Sequence, residues 1–282
     1  MMHTTYSLHH INNTANFGFS ADDYSRFKFG DGAVAKIFGT DLAIGFIKEH
    51  LAVKPVKQQV VVISSPYSFI PTATFGMKTW FVYHLNQWLA QHHLPVVQET
   101  KVHRTITYKE DYGELDAKQR MILIGNDQFH IDKDFLTGKT LVFLDDIRIT
   151  GSHERMITKM ADAYGLQNDM YMLYFAELVN DAIHPNVENQ LNYHQVKTIF
   201  DLDRIVKSPD FLINTRIVKY VLNYSFDSFC VFIQNQSAAV IELFYNMALG
   251  NGYHTIDAYQ TNLNFIKKHL LLDNYKLIEY GN

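Results

Sequence analysis

The residues best suited to chemistry stand together in one run, Leu141-Val142-Phe143-Leu144-Asp145-Asp146-Ile147-Arg148-Ile149-Thr150-Gly151-Ser152-His153. An apolar stretch leads into two adjacent carboxylates, and a short polar loop with one glycine then opens a helical pattern. Free backbone N–H groups of such a loop and of the first helical turn attract an anion, and the helix dipole adds to that attraction. The Thr150 and Ser152 hydroxyls can contribute further hydrogen bonds, and Gly151 lets the backbone approach closely. The carboxylates repel an anion, so their chemistry differs. Asp145 and Asp146 can accept hydrogen bonds from the vicinal hydroxyls of a ribose and stabilise positive charge developing on a sugar ring. A bare Asp-Asp pair could merely close a strand and a turn; the strand, glycine loop and helix around it favour a sugar phosphate as ligand.

These residues need a scaffold, and the flanking pattern supplies one. Thr140 to Leu144 reads as a strand buried on both faces, as in a parallel sheet. Met156, Ile157, Met160 and Tyr164 share one helical side, with Gly165 at the C-terminal cap, and Met170 to Ala176 reads as the next strand of a βαβ unit. Ligands of open sheets bind at the carboxyl ends of such strands. Upstream, Val60 to Ile63 is a strand ending in Ser64-Ser65-Pro66, Met77, Phe81, Leu85 and Trp88 mark a helix stopped by Leu94-Pro95, and Val96 to Val102 is β-rich. Asp31 is placed to cap a helix carrying Val34, Ile37, Phe38, Leu42, Phe46 and Ile47, in which Gly39 and Gly45 permit close packing. The polar stretch from His103 to Lys118, with Arg104 and Lys109, has the composition of a mobile lid. Residues 1–20 are polar and read as a lead-in or a strand. Past about Asp181 the pattern turns helical: Ser208-Pro209 suggests a cap ahead of Ile213, Ile217 and Val221, and Val240 to Ala248 forms a stripe closed by Gly250. The expected fold is therefore α/β with a mainly parallel sheet over residues 21–180, a lead-in over 1–20 and an appended, mostly helical region over 181–282.

Composition narrows the function. The 282 residues are 47% hydrophobic and 19% charged, enough apolar material for a sizeable core. Lys plus Arg number 25 against 29 Asp plus Glu, a net charge of −4 that argues against nucleic acid as partner. A single cysteine, Cys230, excludes intramolecular disulfides and cysteine-clustered metal sites, reads as buried and inert, and suits a reducing compartment. Met1 to Ser7 shows neither a basic nor an apolar signal segment, and the richest apolar stretch, Ser237 to Gly250, is interrupted by Glu242 and Asn246, so a cytoplasmic chain without a membrane span is expected. His9-His10 and His92-His93 do not share a helical face and belong to no metal-binding pattern, so no protein-held metal is expected.

The Asp145–His153 run resembles the 5-phosphoribosyl-1-pyrophosphate (PRPP) motif of type I phosphoribosyltransferases, in which an apolar strand, two acidic residues and two variable residues precede a Thr-Thr-Gly-x-Thr/Ser loop. Asp145, Asp146, Thr150 and Gly151 match, while Ile149 replaces the first hydroxyl residue and His153 the last. Arg104, Gly113-Glu114-Leu115, Arg120, Asn126 and Phe129 look like the flexible-loop stretch of competence-type members, which usually have Gln at or beside the position of Glu114. Ser64-Ser65-Pro66-Tyr67 stands where the family has its pyrophosphate loop. With Tyr24-Ser25-Arg26-Phe27-Lys28-Phe29-Gly30-Asp31-Gly32, the chain is most similar to the phosphoribosyltransferase-like proteins of tellurite-resistance-type operons, over about residues 20–176.

The resemblance implies the type I phosphoribosyltransferase fold and transfer of the 5-phosphoribosyl group of PRPP to an unidentified small-molecule acceptor, expected to attack through nitrogen, with release of pyrophosphate. Mg²⁺ would be bound by the substrate. Thr150, Gly151, Ser152 and His153 would hold the 5-phosphate, Ser64 and Ser65 the pyrophosphate, and Asp145 and Asp146 the ribose, with Arg104 and Lys109 assisting catalysis from the lid. A homodimer is compatible with the resembled family. Ile149 and His153 motivate an alternative, a non-catalytic PRPP or nucleotide sensor; a protein keeping only the fold for interaction is a third reading.

Overall fold

The computed structural model describes residues 3–104 and 129–279 and contains one six-stranded sheet in the order β1-β6-β5-β2-β3-β4. Its strands are β1 (His3–Ile11), β2 (Val60–Tyr67), β3 (Gln98–Arg104), β4 (Phe129–His130), β5 (Thr140–Arg148) and β6 (Met170–Leu178). Neighbours from β1 through β3 pair in parallel, and β4 alone runs antiparallel, at the edge. Alternation along the central strands divides the interior into two layers. Val60 and Val62 of β2 and Val142 and Leu144 of β5 face α1 (Ala21–Lys28), α2 (Gly32–Phe46) and α3 (Ala73–Gln91). Val61, Ile63, Leu141 and Phe143 face the other side, where the single turn α4 (Lys133–Leu136) and helix α5 (Ser152–Ala163) lie. A sheet covered on both faces explains why its strands read as unbroken apolar runs. Gly39 brings α2 against α3: a Cβ there would stand 2.2 Å from the Met77 carbonyl oxygen.

The remaining chain is helical: α6 (Val187–Asn192) puts Leu191 into the interior shared with α1, whereas α7 (Asp203–Val206), α8 (Thr215–Leu222), α9 (Phe226–Gln234), α10 (Ala238–Gly250) and α11 (Asp257–Glu279) enclose an apolar interior of their own. It joins the α/β part at the turn after α1, where Gly32 N–H donates to the Asp210 carbonyl at 3.1 Å and Leu212 N–H to the Gly30 carbonyl at 2.9 Å. The α/β class, the mainly parallel sheet and the appended helical region are thus as expected from the sequence.

Of the two readings of residues 1–20, lead-in or strand, His3–Ile11 takes the second, paired in parallel with β6. Other local details differ. Ser208-Pro209 caps no helix; the Ser208 hydroxyl accepts from Asp210 N–H in a turn, and Asn214 caps α8 instead by accepting from Ile217 N–H at 3.1 Å. Asp31 does cap α2, accepting from Val34 N–H at 3.1 Å. Cys230 is half-buried rather than fully enclosed. Among the described residues no helix is long and apolar enough to cross a membrane.

Candidate active site

Asp145 and Asp146 sit near the carboxyl end of β5, and as consecutive strand residues they face opposite sides of the sheet. Asp145 shares its side with Phe143 and borders a crevice also lined by Ser64, Ser65, Pro66, His153, Met156 and Tyr174. Its Oδ1 accepts from Ser65 Oγ at 2.6 Å, from Thr74 Oγ1 at 3.3 Å and from Asp146 N–H at 3.0 Å. Its Oδ2 takes a single donor in this set, His153 Nδ1 at 2.5 Å. A carboxylate offers about four lone-pair positions, so Oδ2 retains accepting capacity toward a ligand. Burial alone would push the Asp145 pKa up, but the adjacent His153 ring, the Ser65 hydroxyl and the Lys28 ammonium outweigh it and hold the carboxyl well below the ordinary carboxylate range.

Asp146 is buried on the α1 side. Its Oδ2 accepts from Tyr24 OH at 2.6 Å and forms an ion pair with Lys28 Nζ. Both donors come from α1, whose N-cap Ser20 accepts from Asp23 N–H and whose buried residues include Tyr24, Phe27 and Lys28. Burial, with Asp146 adding to it, drives the Tyr24 phenol well above its usual pKa, so it serves as a donor to the carboxylate. The two aspartates expected to act together on a ribose are therefore separated: one borders the crevice, and the other fastens α1 to the sheet.

The loop after β5 gathers two hydroxyls and two guanidinium groups around a glycine turn. Gly151 takes φ +66° and ends the turn into α5. Thr150 Oγ1 and Ser152 Oγ lie 2.8 Å apart. Arg155, one helical turn on, donates to the Thr150 carbonyl at 2.8 Å and to Ser152 Oγ at 2.9 Å, and the guanidinium tips of Arg148 and Arg155 would stand 3.2 and 3.3 Å from a Cβ at Gly151. Arg148 is also ion-paired with Glu154 and Glu177, which, after the opposing effect of burial, raises its pKa. Ile149, where the resembled motif carries a hydroxyl, packs half-buried against the core.

The structure thus brings Ser65, Asp145, His153 and the Thr150–Ser152 loop to one edge of the sheet. Ser64 is buried within β2. Arg104 closes β3, its backbone paired with Phe129, and Lys109 lies outside the described residues, as does most of the His103–Lys118 stretch. Sequence reasoning missed Thr74, Lys28, Tyr24 and Arg155 as members of this network. Arg155 alone carried a local signal, a cation one turn into the helix that the glycine loop opens. Among the described residues no group of three or more His, Cys, Asp or Glu side chains is arranged to hold a metal ion.

A carboxylate and a glycine loop at the carboxyl edge of a parallel sheet define the ligand end of an open α/β fold. A family model described as PRTase ComF-like matches residues 2–266, and the chain belongs to that phosphoribosyltransferase family. The match runs through the sheet and most of the helical region. Solved structures with a partial likeness include the hypoxanthine phosphoribosyltransferase of Trypanosoma cruzi (12% identity, TM-score 0.35, covering 54% of this chain and 77% of that one) and that of Staphylococcus aureus (9%, 0.32, 54% and 76%). The hypoxanthine-guanine enzyme of L. donovani gives 10% identity and a TM-score of 0.32 over 52% and 70%. No curated protein matches. The family assignment rests on the family model.

Proposed function

We propose that the protein is a phosphoribosyltransferase that uses PRPP as donor, carried as its Mg²⁺ complex, and passes the 5-phosphoribosyl group to a small-molecule acceptor with a nucleophilic nitrogen. The observation that carries this reading is Asp145, held ionised at the sheet edge by Ser65 and His153 with Oδ2 still able to accept, beside the Thr150–Ser152 loop at the start of α5. In this reading the loop N–H groups, the two hydroxyls and Arg155 hold the 5-phosphate. Asp145 accepts a hydrogen bond from a ribose hydroxyl and stabilises the positive charge that grows on the ring as the bond from C1 to pyrophosphate breaks. His153, the residue after the loop, orients Asp145 and is assigned with the loop to the phosphate. Ser64 and Ser65 border the pyrophosphate, and Arg104 and Lys109 keep the pyrophosphate role that the family resemblance implies. Mg²⁺, arriving with the substrate, would supply charge neutralisation to the leaving pyrophosphate. Asp146 has a different task from that expected: through Lys28 and Tyr24 it anchors α1 under the site. A cytoplasmic location, a homodimer and kinship with the proteins of tellurite-resistance-type operons belong to the same reading.

Ile149 favours a second reading, a PRPP or nucleotide sensor without turnover, because an apolar side chain packed into the core stands where a phosphate-binding hydroxyl is expected. One experiment addresses both. Calorimetric titration with PRPP, with and without Mg²⁺, should show Mg²⁺-assisted binding, and an acceptor screen should then release pyrophosphate. Binding without release across purines, pyrimidines and amines would favour the sensor. No binding at millimolar PRPP by folded protein would end the transferase reading, and the sensor reading would end with it if nucleotides also fail to bind.

A further inference from the structure

The segment from Ser65, near the end of β2, to Thr74, at the start of α3, touches Asp145 at both of its ends, through Ser65 Oγ and Thr74 Oγ1, with the loop 68–72 between them. Its middle is held by the helical region, far away in sequence. Asn251, the residue after α10, accepts from Phe69 N–H at 3.0 Å and from Ile70 N–H at 3.1 Å through one oxygen, Oδ1. Thr215, the first residue of α8, donates from Oγ1 to the Ile70 carbonyl at 2.9 Å and to the Pro71 carbonyl at 3.1 Å, and its own N–H donates to Pro71 at 2.8 Å. Ile70 is fully buried in the apolar interior of the helical region, not in that of the sheet. The Phe69 ring covers Gly250 so closely that a Cβ there would stand 2.3 Å from it. Of the four consecutive residues 68–71, Ser68 is tied to the sheet, its carbonyl accepting from Lys101 of β3, while the other three find their partners in α8 and at the end of α10.

We propose that the helical region is a working part of the site: Asn251 and Thr215 are positioning residues that fix the middle of this loop so that Ser65 and Thr74 reach Asp145. The inference rests on reading the Asp145 edge as a PRPP site. A backbone N–H at the foot of a loop needs an acceptor, and Asn251 supplies one acceptor to two consecutive donors. Without it the loop can move away from α10, and a shift of about an ångström at its ends loses the Ser65–Asp145 hydrogen bond, whose tolerance is no larger. Asp145 would then keep His153 but lose the orientation of Oδ1.

The test compares Asn251→Leu with Asn251→Asp, which keeps the accepting oxygen, and with Thr215→Val. Mg²⁺-PRPP affinity is measured by calorimetry at a temperature where thermal unfolding shows each variant fully folded. Asn251→Leu should bind about tenfold more weakly, within the coupling found between residues of one network, while Asn251→Asp stays within about twofold of wild type. A purely structural clamp would lower the melting temperature of Asn251→Leu and leave its affinity unchanged, which would overturn the proposal. Should Asn251→Leu not fold, Thr215→Val decides by the same criterion. Amide hydrogen exchange gives an arm independent of PRPP: in Asn251→Leu, exchange should quicken in residues 64–74 and also in 145–153. Failure of wild type to bind PRPP would refute the proposed function alone. Faster exchange confined to 68–72 and the helical region, with 145–153 unchanged, would refute the coupling.

Discussion

Replacing Lys28 by Met should destabilise the protein far more than an ordinary loss of one surface charge. Lys28 is 8% exposed and Asp146 is 6% exposed, and the remaining side-chain donor to Asp146 is the fully buried Tyr24 hydroxyl at 2.6 Å. At that depth two unit charges about 4 Å apart attract by about 4 kcal/mol at an effective dielectric of 20, and removing one partner leaves the other charged and desolvated. Lys28→Met is expected to cost about 3–5 kcal/mol, and Asp146→Asn a similar amount because it strands the ammonium. The double variant leaves neither charge buried, and its Asn still accepts from Tyr24. It should therefore cost well under the sum, with a coupling of at least about 2 kcal/mol. Urea denaturation of the four proteins measures the cycle, and melting temperatures should fall by roughly 10 °C for each single variant. A single-variant cost below about 1 kcal/mol, or an additive double variant, would refute the reasoning that the pair is buried and mutually dependent. The cycle also divides the two carboxylates by function. Asp146→Asn should weaken PRPP binding only as far as it unfolds the protein, whereas Asp145→Asn should weaken binding in protein that remains folded.

Two further outcomes are expected. Gly151→Ala puts a side chain on a residue at φ +66°, with its Cβ 3.2 Å from the Arg148 guanidinium and 3.3 Å from that of Arg155. It should lose about 1–2 kcal/mol in thermal unfolding together with affinity for a phosphorylated sugar, and a neutral or stabilising effect would count against a left-handed turn at this point. For Asp145, burial raises the carboxyl pKa, but His153, Ser65 and Lys28 bring it well below the ordinary range, so its ionised form stabilises the fold above the unfolded pKa of about 3.9. That contribution is lost as pH falls below about 4, and the stability gap between wild type and Asp145→Asn should narrow there; a gap unchanged down to about pH 2 would show that the carboxyl is not held ionised.

Strands β2, β5 and β6 were legible because a sheet covered on both faces leaves its strands no polar side to display. Helix α1 was not. Its eight residues include Asp22, Asp23, Arg26 and Lys28, so its apolar signal reduces to Tyr24 and Phe27, and one of its charged residues is buried against a partner 118 positions away. Strand β1 carries His, Thr and Ser at an edge with one neighbour, where a single half-buried face makes little demand on composition. At Ser208-Pro209 the local cap signature was correct in kind, but the chain from Asp210 to Leu212 is drawn into backbone pairing with Gly30 and Gly32, so the helix starts only after Asn214. Tertiary pairing overrode a local preference there.

The site was legible as a place and illegible as a division of labour. Two adjacent acids read from sequence as one functional unit, yet the period of a strand sends neighbours to opposite faces, and that fact alone argues against a shared ligand. What it leaves open is which acid faces the loop, and the answer depends on groups with no sequence proximity: Ser65 and Thr74 from the strand and helix that flank one loop, and Tyr24 and Lys28 from a helix that composition conceals. His153 bears on the same point. In the position of the motif's last hydroxyl, its ring reaches back to Asp145 at 2.5 Å, so the loop that would hold phosphate also sets the carboxylate that would meet the sugar. A substitution that weakens the phosphate cradle in the resembled pattern thereby ties the two halves of the site together, and Ser65 extends that tie to the loop held by Asn251 and Thr215.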